Sequence, residues 1–394
     1  MKAIAIKKDL FYVGVNDRTK HLFENLWPLP QGVSYNSYLL IDDKTVLFDT
    51  VDIVYSDVFL SKLEHALNGK SLDYLVINHI EPDHSGSLSL LKTKYPQIEI
   101  IGNVRTAGMV KGYYDIAGIN VINDGDVLVA GKHTLQFYLI PMVHWPETMV
   151  TYDITDKTLF SGDAFGSFGA LDGGITDAQL RYERYWDEMI RYYSNIVGKY
   201  GSPVQKAIAK LSGVEIKTIC STHGPVWTEK ENINKVIALY DKLSKYEADP
   251  GVVIAYGSMY GHTEQMAEVI ASELAAQGIK DIAIHNVSVS PHSNIIRDVF
   301  KYKGLIVGCP TYNNQLYPEM DSLLTKLAAR EIKNRYFGYF GSFTWSGAAL
   351  KRLAVFAETS GWELVGTPAE MKQSMNQKVY EEAIALAQAM AMKM

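Results

Sequence analysis

Beyond Pro250, short apolar runs at 252–256, 280–285, 304–308 and 336–340 alternate with stretches at 264–277, 293–301, 317–329 and 347–359 that read as helices. No other feature of the chain restricts its fold so tightly. Each intervening helix must carry the chain back to the same end of the sheet, so the strands pair in parallel and the helices cover both faces. A further strand at 362–366 and a closing helix at 378–392 complete a doubly wound unit of about one domain's size.

The preceding residues obey a different rule. Segments 33–41 and 44–49 read as a hairpin across Asp42-Asp43, 54–67 as an amphipathic helix and 72–78 as a buried strand. Strands are expected at 97–102, 126–130, 133–140, 148–153 and 157–161. Helices follow at 178–199 and 202–212, then a strand at 216–220 and a helix at 228–246. Strands in groups, separated by helices, predict a layered α+β sandwich. Glu247-Ala248-Asp249-Pro250 marks the change of pattern, giving domains 1–249 and 250–394. No internal repeat or low-complexity tract interrupts either.

Composition narrows the function by exclusion. Thirty-eight basic against 44 acidic residues give a net charge of −6 with no Lys/Arg block, which argues against nucleic acid as a partner. Lys7, Lys8 and Asp9 interrupt any signal core, and no run approaches the ~18 apolar residues that span a bilayer. A soluble cytoplasmic protein without membrane contact is expected. The two cysteines, Cys220 and Cys309, stand far apart. With no Cys-x-x-Cys pair, thiolate zinc sites, iron–sulfur clusters and a fused rubredoxin module are excluded from these residues. Any metal must bind through nitrogen and oxygen.

Where such ligands would come from is clearest at residues 78–87, NHIEPDHSGS, directly after the apolar run 74–77. His79, Glu81 and Asp83 fall on alternate positions of an extended segment and so share one face, with His84 turning inward next. Burying unpaired charge is costly, so four such groups at a strand end call for a balancing partner. Three more strand ends repeat the pattern. His144 closes LIPMVH, Asp163 follows TLFSG and His223 follows IKTICST. Loops at one sheet edge commonly assemble sites, and jointly these residues form a candidate metal cluster.

The second unit offers a different kind of site. The sequence VVIAYGSMYGHTEQMAEVI runs strand, loop, helix, without the lysine of a Walker A loop. Ser258, Met259, Tyr260, Gly261, His262 and Thr263 offer backbone N–H groups and hydroxyls at a helix N-terminus, which suits a phosphate dianion. Two more strand-end loops follow. Pro310, Thr311, Tyr312, Asn313 and Asn314 lie in GCPTYNNQLYP; Ser342, Phe343, Thr344, Trp345, Ser346 and Gly347 lie in GSFTWSG.

His-x-Glu-x-Asp-His followed by distant His, Asp and His resembles the binuclear motif of the metallo-β-lactamase superfamily, whose fold is an αββα sandwich. Its hydrolases usually carry a second histidine where this chain has Glu81. The resemblance implies one metal on His79, Glu81, His144 and Asp163 and another on Asp83, His84, His223 and the same Asp163. The extra hard carboxylate moves the preference from zinc toward iron or manganese. Asp49 matches a superfamily position that is usually structural. Tyr193, on a helix rich in aromatic residues (Tyr182, Tyr185, Trp186, Tyr192), is a candidate hydrogen-bond donor near the metals, with packing as its alternative role. The loop 258–263 resembles the first loop of flavodoxins, which implies flavin mononucleotide (FMN), its ring edged by 310–314 and wrapped by 342–347 with Trp345 stacked beside it.

In combination the chain resembles the flavodiiron proteins, also called type A flavoproteins. That resemblance implies an oxidoreductase with FMN and two Fe, reducing O2 to water, NO to N2O, or both. It further implies a head-to-tail homodimer or dimer of dimers, with rubredoxin or reduced coenzyme F420 as donor. A two-zinc hydrolase and an electron-carrying flavodoxin with a vestigial first half are the alternatives; bound metal and a yellow chromophore discriminate them. The ligand set does not separate O2 from NO preference.

Overall fold

Every residue of the strands Thr45–Phe48, Met149–Asp153, Thr158–Gly162 and Thr218–Ser221 is buried. Strands buried on both faces are sandwiched between layers, and in this computed structural model, which describes residues 1–394, two sheets face each other across one core. Phe48 of one sheet and Phe160 of the other stack with ring centroids 3.6 Å apart, and Val76, Ile101, Phe137, Met149 and Cys220 pack around them. The first sheet has seven strands, with Tyr38–Ile41, Thr45–Phe48, Tyr74–Val76 and Glu99–Gly102 side by side at its centre. The second has five: Val127–Val129, Thr134–Leu139, Met149–Asp153, Thr158–Gly162 and Thr218–Ser221. Both belong to the unit Met1–Ser244.

One helix begins later than its sequence suggests. The stretch expected as helix over 178–199 is helical only over Glu183–Tyr192, and continues as a π-turn, Tyr193–Val197. Asp177 would be a natural cap for a helix at 178. Its carboxylate instead accepts from Thr228 N–H at 2.8 Å, Glu229 N–H at 3.1 Å and the Asn232 amide at 3.0 Å. The cap serves the helix Lys230–Ser244, distant in sequence, so the local signal at 178 goes unused.

The unit Lys245–Met394 has the regular winding that its alternation predicts. Its sheet runs Ile282–Asn286, Asp249–Tyr256, Tyr302–Pro310, Tyr336–Phe343, Glu363–Leu364, all parallel. In chain order this is 2-1-3-4-5, the flavodoxin-like arrangement, whose switch point lies between the first and third strands. The loops after Tyr256 and Pro310 therefore diverge there and leave a crevice. Asp249 and Pro250 open the first strand of this unit, and the register shifts between Asp249 and Val252 because proline has no N–H to give the ladder. A strand the sequence reading omitted, Ala369–Lys372, also pairs with Tyr336–Phe343.

Candidate functional site

The end of the strand Tyr74–Val76 is held by Asp49, which follows the neighbouring strand Thr45–Phe48. Asp49 accepts the N–H groups of Asn78 at 2.8 Å and His79 at 3.2 Å, and the Asn78 amide at 3.0 Å. The backbone entering His79 is thus fixed before any ligand chemistry begins. Pro82 then starts a helical turn, Pro82–Ser85, as proline at a first helical position favours. Uninterrupted alternation would have put His79, Glu81 and Asp83 on one face. The turn instead rotates Asp83 away, to join His84 in a second group.

Those two groups are well defined. His79, Glu81, His144 and Asp163 are buried, and each offers one ligand atom within 4.8 Å of the others. Asp83, His84 and His223 do the same beside them. Asp163 stands between. Its Oδ2 lies 3.1 Å from His144 Nε2 and 3.5 Å from His79 Nε2, whereas its Oδ1 lies 2.9 Å from His84 Nε2 and 3.7 Å from His223 Nε2. One carboxylate therefore turns one oxygen to each group. Glu81 Oε2 is 3.1 Å from both His79 and His144, and Asp83 Oδ2 is 3.4 Å from both His84 and His223. Gly162, immediately before Asp163, has φ +56°, a backbone conformation that a side chain would strain.

Outer contacts aim the rings. His79 Nδ1 meets Glu147 Oε1 at 2.7 Å, and His223 Nδ1–H donates to the Ser34 carbonyl at 2.7 Å, so both present Nε2 inward. Thr222 donates to Asp163 Oδ1 at 2.6 Å. Ser34 and Thr222 carry no signal in the sequence, since their partners are 189 and 59 residues away; Trp145-Pro146-Glu147 reads from sequence as pocket wall, and the structure instead sets Glu147 on His79, 68 residues away. Glu147 had a visible signal, an acid three residues after His144. Replacing it, Glu147→Gln, is expected to weaken metal binding by ~10–100-fold, as loss of an outer partner usually does, read by chelator competition.

Both Asp83 oxygens, both His84 nitrogens and His223 Nε2 are buried without a hydrogen-bond partner. Orphaned buried polar atoms cost about 1–3 kcal/mol each. Such a concentration, turned toward one another but not aligned for hydrogen bonds, fits a pair of bridged cations. Without metal the cluster holds protons instead. Burial opposes charge on the histidines, but the neighbouring carboxylates outweigh it and push His84 and His144 up to about 9. Burial likewise opposes ionisation of Glu81 and Asp163, yet the histidines hold both below the usual carboxylate range. Histidines raised above their unfolded ~6.5 stabilise the folded state fully below that pH and lose the contribution as pH climbs. For His84 and His144 the loss is complete above about 9. The thermal midpoint of metal-stripped protein should therefore fall across that window, while the metal-loaded protein, its histidines already neutral, should fall less.

Tyr193 is buried with its ring edge-on to Tyr240, centroids 4.9 Å apart. The ring against the cluster is that of Tyr192, 5.3 Å from His223. Successive helical residues point about 100° apart, which a list of aromatic residues does not resolve. The Tyr192 hydroxyl is buried and stays protonated: burial first, then the charges of Asp163, Asp83 and Glu81, push it well above its ordinary range. A third group, His133, Asp153 and Asp156, sits at the opposite strand ends and is internally matched, with His133 Nδ1 2.7 Å from Asp153 and Lys7 4.0 Å from Asp156.

In the second unit the three strand-end loops surround a cleft of about 550 Å³. Gly261, at φ +89°, ends the first loop and leads into the helix His262–Ala276; its N–H donates to Ser258 Oγ at 3.1 Å. Thr263 Oγ1 and Ser342 Oγ meet at 2.8 Å, tying the first and third loops together. Ser258, Met259, Tyr260, His262 and Thr263 line the cleft, as do 310–314 and 342–346. Gly261 and Gly347 do not line it: the first makes the turn, and a Cβ on the second would come within 3.0 Å of Glu370. Gln373 does line it, delivered by the strand Ala369–Lys372, whose in-out alternation was the available signal. Around the rim Tyr260 is 89% and Trp345 88% exposed.

The family model described as ODP family beta lactamase matches residues 33–224, and the flavodoxin model matches 254–386. The chain is 32% identical over 395 residues to the rubredoxin-oxygen oxidoreductase of Megalodesulfovibrio gigas, covering 99% of this chain and 98% of that one. It is 32% identical over 369 residues to an anaerobic nitric oxide reductase flavorubredoxin of Escherichia coli, covering 92% and 76%. Among solved structures, rubredoxin oxygen:oxidoreductase from Desulfovibrio gigas superposes with a TM-score of 0.95 at 31% identity, covering 100% and 98%. A flavo di-iron protein variant from Thermotoga maritima does so with 0.90 at 27%, covering 99% and 98%.

Proposed function

Because this chain belongs to the flavodiiron family, we propose that it reduces O2 to water, NO to N2O, or both, with electrons from a separate donor. Rubredoxin is the donor its relative's name suggests, and reduced coenzyme F420 is the second candidate. The observation that carries the reading is Asp163, with one oxygen facing each of two histidine-carboxylate groups, beside a glutamate at position 81. His79, Glu81, His144 and Asp163 would hold one iron; Asp83, His84, His223 and Asp163 would hold the other. The first-loop N–H groups and hydroxyls, 258–263, would hold the FMN phosphate, and loops 310–314 and 342–346 its ring.

Two irons and a flavin supply the successive one- and two-electron steps that side chains cannot perform, four electrons in all. The chain's own contribution is positional and electrostatic. Three carboxylates against neutral histidines favour iron and tolerate its ferric state. Phe23, Tyr35 and Tyr192 crowd His223 at 5.4, 5.8 and 5.3 Å, and Trp145 lies 5.3 Å from His79, so aromatic walls limit water around the ligands. Tyr192 keeps a proton beside the cluster. The exposed Tyr260 and Trp345 support a head-to-tail homodimer, or a dimer of such dimers, in which a partner covers the flavin rim.

The test is direct. Purified protein should carry iron and FMN and should consume O2, NO or both when supplied with reduced rubredoxin, with N2O as the product from NO. Zinc in place of iron, with no consumption of either gas, would instead support a hydrolase.

A further inference from the structure

A cavity of about 320 Å³ lies in the first unit between the five-stranded sheet and the helices Gly201–Leu211 and Lys230–Ser244. Its inner wall includes the buried residues Val143, Ala164, Phe165 and Tyr240. Its outer part is lined by Ile208, Leu211, Val214, Ile216 and Ile237, which are only partly buried, so it opens to the surface. Val143 directly precedes His144, and Ala164 directly follows Asp163. This wall thus stands one residue along the chain from two members of the metal cluster, on the same backbone that positions them.

We propose that this cavity is a holding site for a small apolar diatomic gas, O2 or NO, beside the metal centre. The assignment rests on the function proposed above for its choice of gas, and on the lining for its chemistry. Apart from Tyr240, the polar residues along it are Ser212 and Asn234, both exposed at the mouth. An organic metabolite would need well-placed polar groups to orient it, and the inner wall offers an aliphatic and aromatic surface instead. Ordered water would need several polar partners, and apart from the Tyr240 hydroxyl the inner wall offers none; apolar cavities accept apolar guests such as xenon. O2 and NO are small, weakly polar and poorly soluble in water, so an apolar chamber concentrates them relative to solvent. The residues of the helix Gly201–Leu211 that line it contact no cluster ligand in the hydrogen-bond or ion-pair network, so the chamber can be altered without touching the metal ligands.

Ala207, buried on that helix and facing the cavity, is the place to fill it. Crystals of iron- and FMN-loaded protein under xenon pressure should show xenon against Val143, Ala164 and Phe165. Ala207→Phe should abolish that xenon site and lower kcat/KM for the gas about fivefold or more, as a restricted on-rate would. Iron content, FMN content and the rate of flavin reduction should stay unchanged. If Ala207→Phe fails to fold, Ile208→Trp at the mouth gives the same readout. Absence of xenon there, an organic molecule co-purifying in the cavity, or an unchanged kcat/KM in a folded variant would each overturn the assignment. Failure of the proposed function would look different: the unsubstituted holoenzyme would consume neither gas.

Discussion

Replacing Asp163 by asparagine is expected to strip metal from both groups at once and to lower gas consumption by more than the ~10–100-fold that loss of an outer partner costs. The reason is geometric. Asp163 is the one carboxylate whose two oxygens face different groups, Oδ1 toward His84 at 2.9 Å and Oδ2 toward His144 at 3.1 Å. An amide keeps a single acceptor oxygen and turns toward the other group an NH2, which has no lone pair to offer a metal. The whole negative charge at that position, which helps to offset two cations, disappears as well. Substituting Glu81 or Asp83 would disturb one group each; only Asp163 serves both. Metal per chain, measured on protein purified beside the parent, reads the outcome, together with O2 and NO uptake. A variant retaining the full iron complement and near-parental rates would remove Asp163 from its assigned place.

The second large effect concerns the other unit. Ser258→Asp should raise the dissociation constant for FMN by about 100-fold or more while leaving iron content unchanged. Ser258 Oγ accepts the Gly261 N–H at 3.1 Å, and an aspartate keeps an acceptor there, so the loop conformation survives. What changes is charge. A carboxylate about 5 Å from a phosphate, at an effective dielectric near 20, repels it by roughly 3 kcal/mol for each unit of phosphate charge, so even a monoanion would lose about two decades in affinity and a dianion more. The proposed site would accept a dianion through uncharged hydroxyls and N–H donors at the start of the helix His262–Ala276. Fluorescence titration of flavin-stripped protein gives the constant. Unaltered affinity would mean that the phosphate sits elsewhere.

Much of this molecule was legible because its sites follow its strands. An apolar run is recognisable without a structure, and the residue that ends it lies at a sheet edge by necessity. That is why His79, His144, Asp163 and His223 are readable as a set although up to 144 residues separate them, the difference between positions 223 and 79. The cleft loops follow from the same rule applied to a parallel sheet, whose switch point places its crevice. Reading became unreliable where a residue's direction depends on a local turn. Pro82 converts the extended run into a helical turn and reassigns Asp83, and one step along a helix separates Tyr193, packed on Tyr240, from Tyr192 beside His223.

From the sequence alone came the two-part organisation, the parallel winding of the second unit, the lack of a Cys-x-x-Cys pair and the residue types that end each strand. These are properties of periodicity and composition, and they persist whatever the chain's neighbours do. Tertiary structure decided the rest. It turned the two oxygens of Asp163 toward different histidines, supplied Glu147 from a turn and Ser34 from a distant strand to aim the rings, brought Gln373 to the cleft of the second unit and drew Asp177 away from its own helix. The physical reason is that hydrogen bonds and metal ligation depend on direction as well as distance. Direction is settled only when separate segments pack against one another.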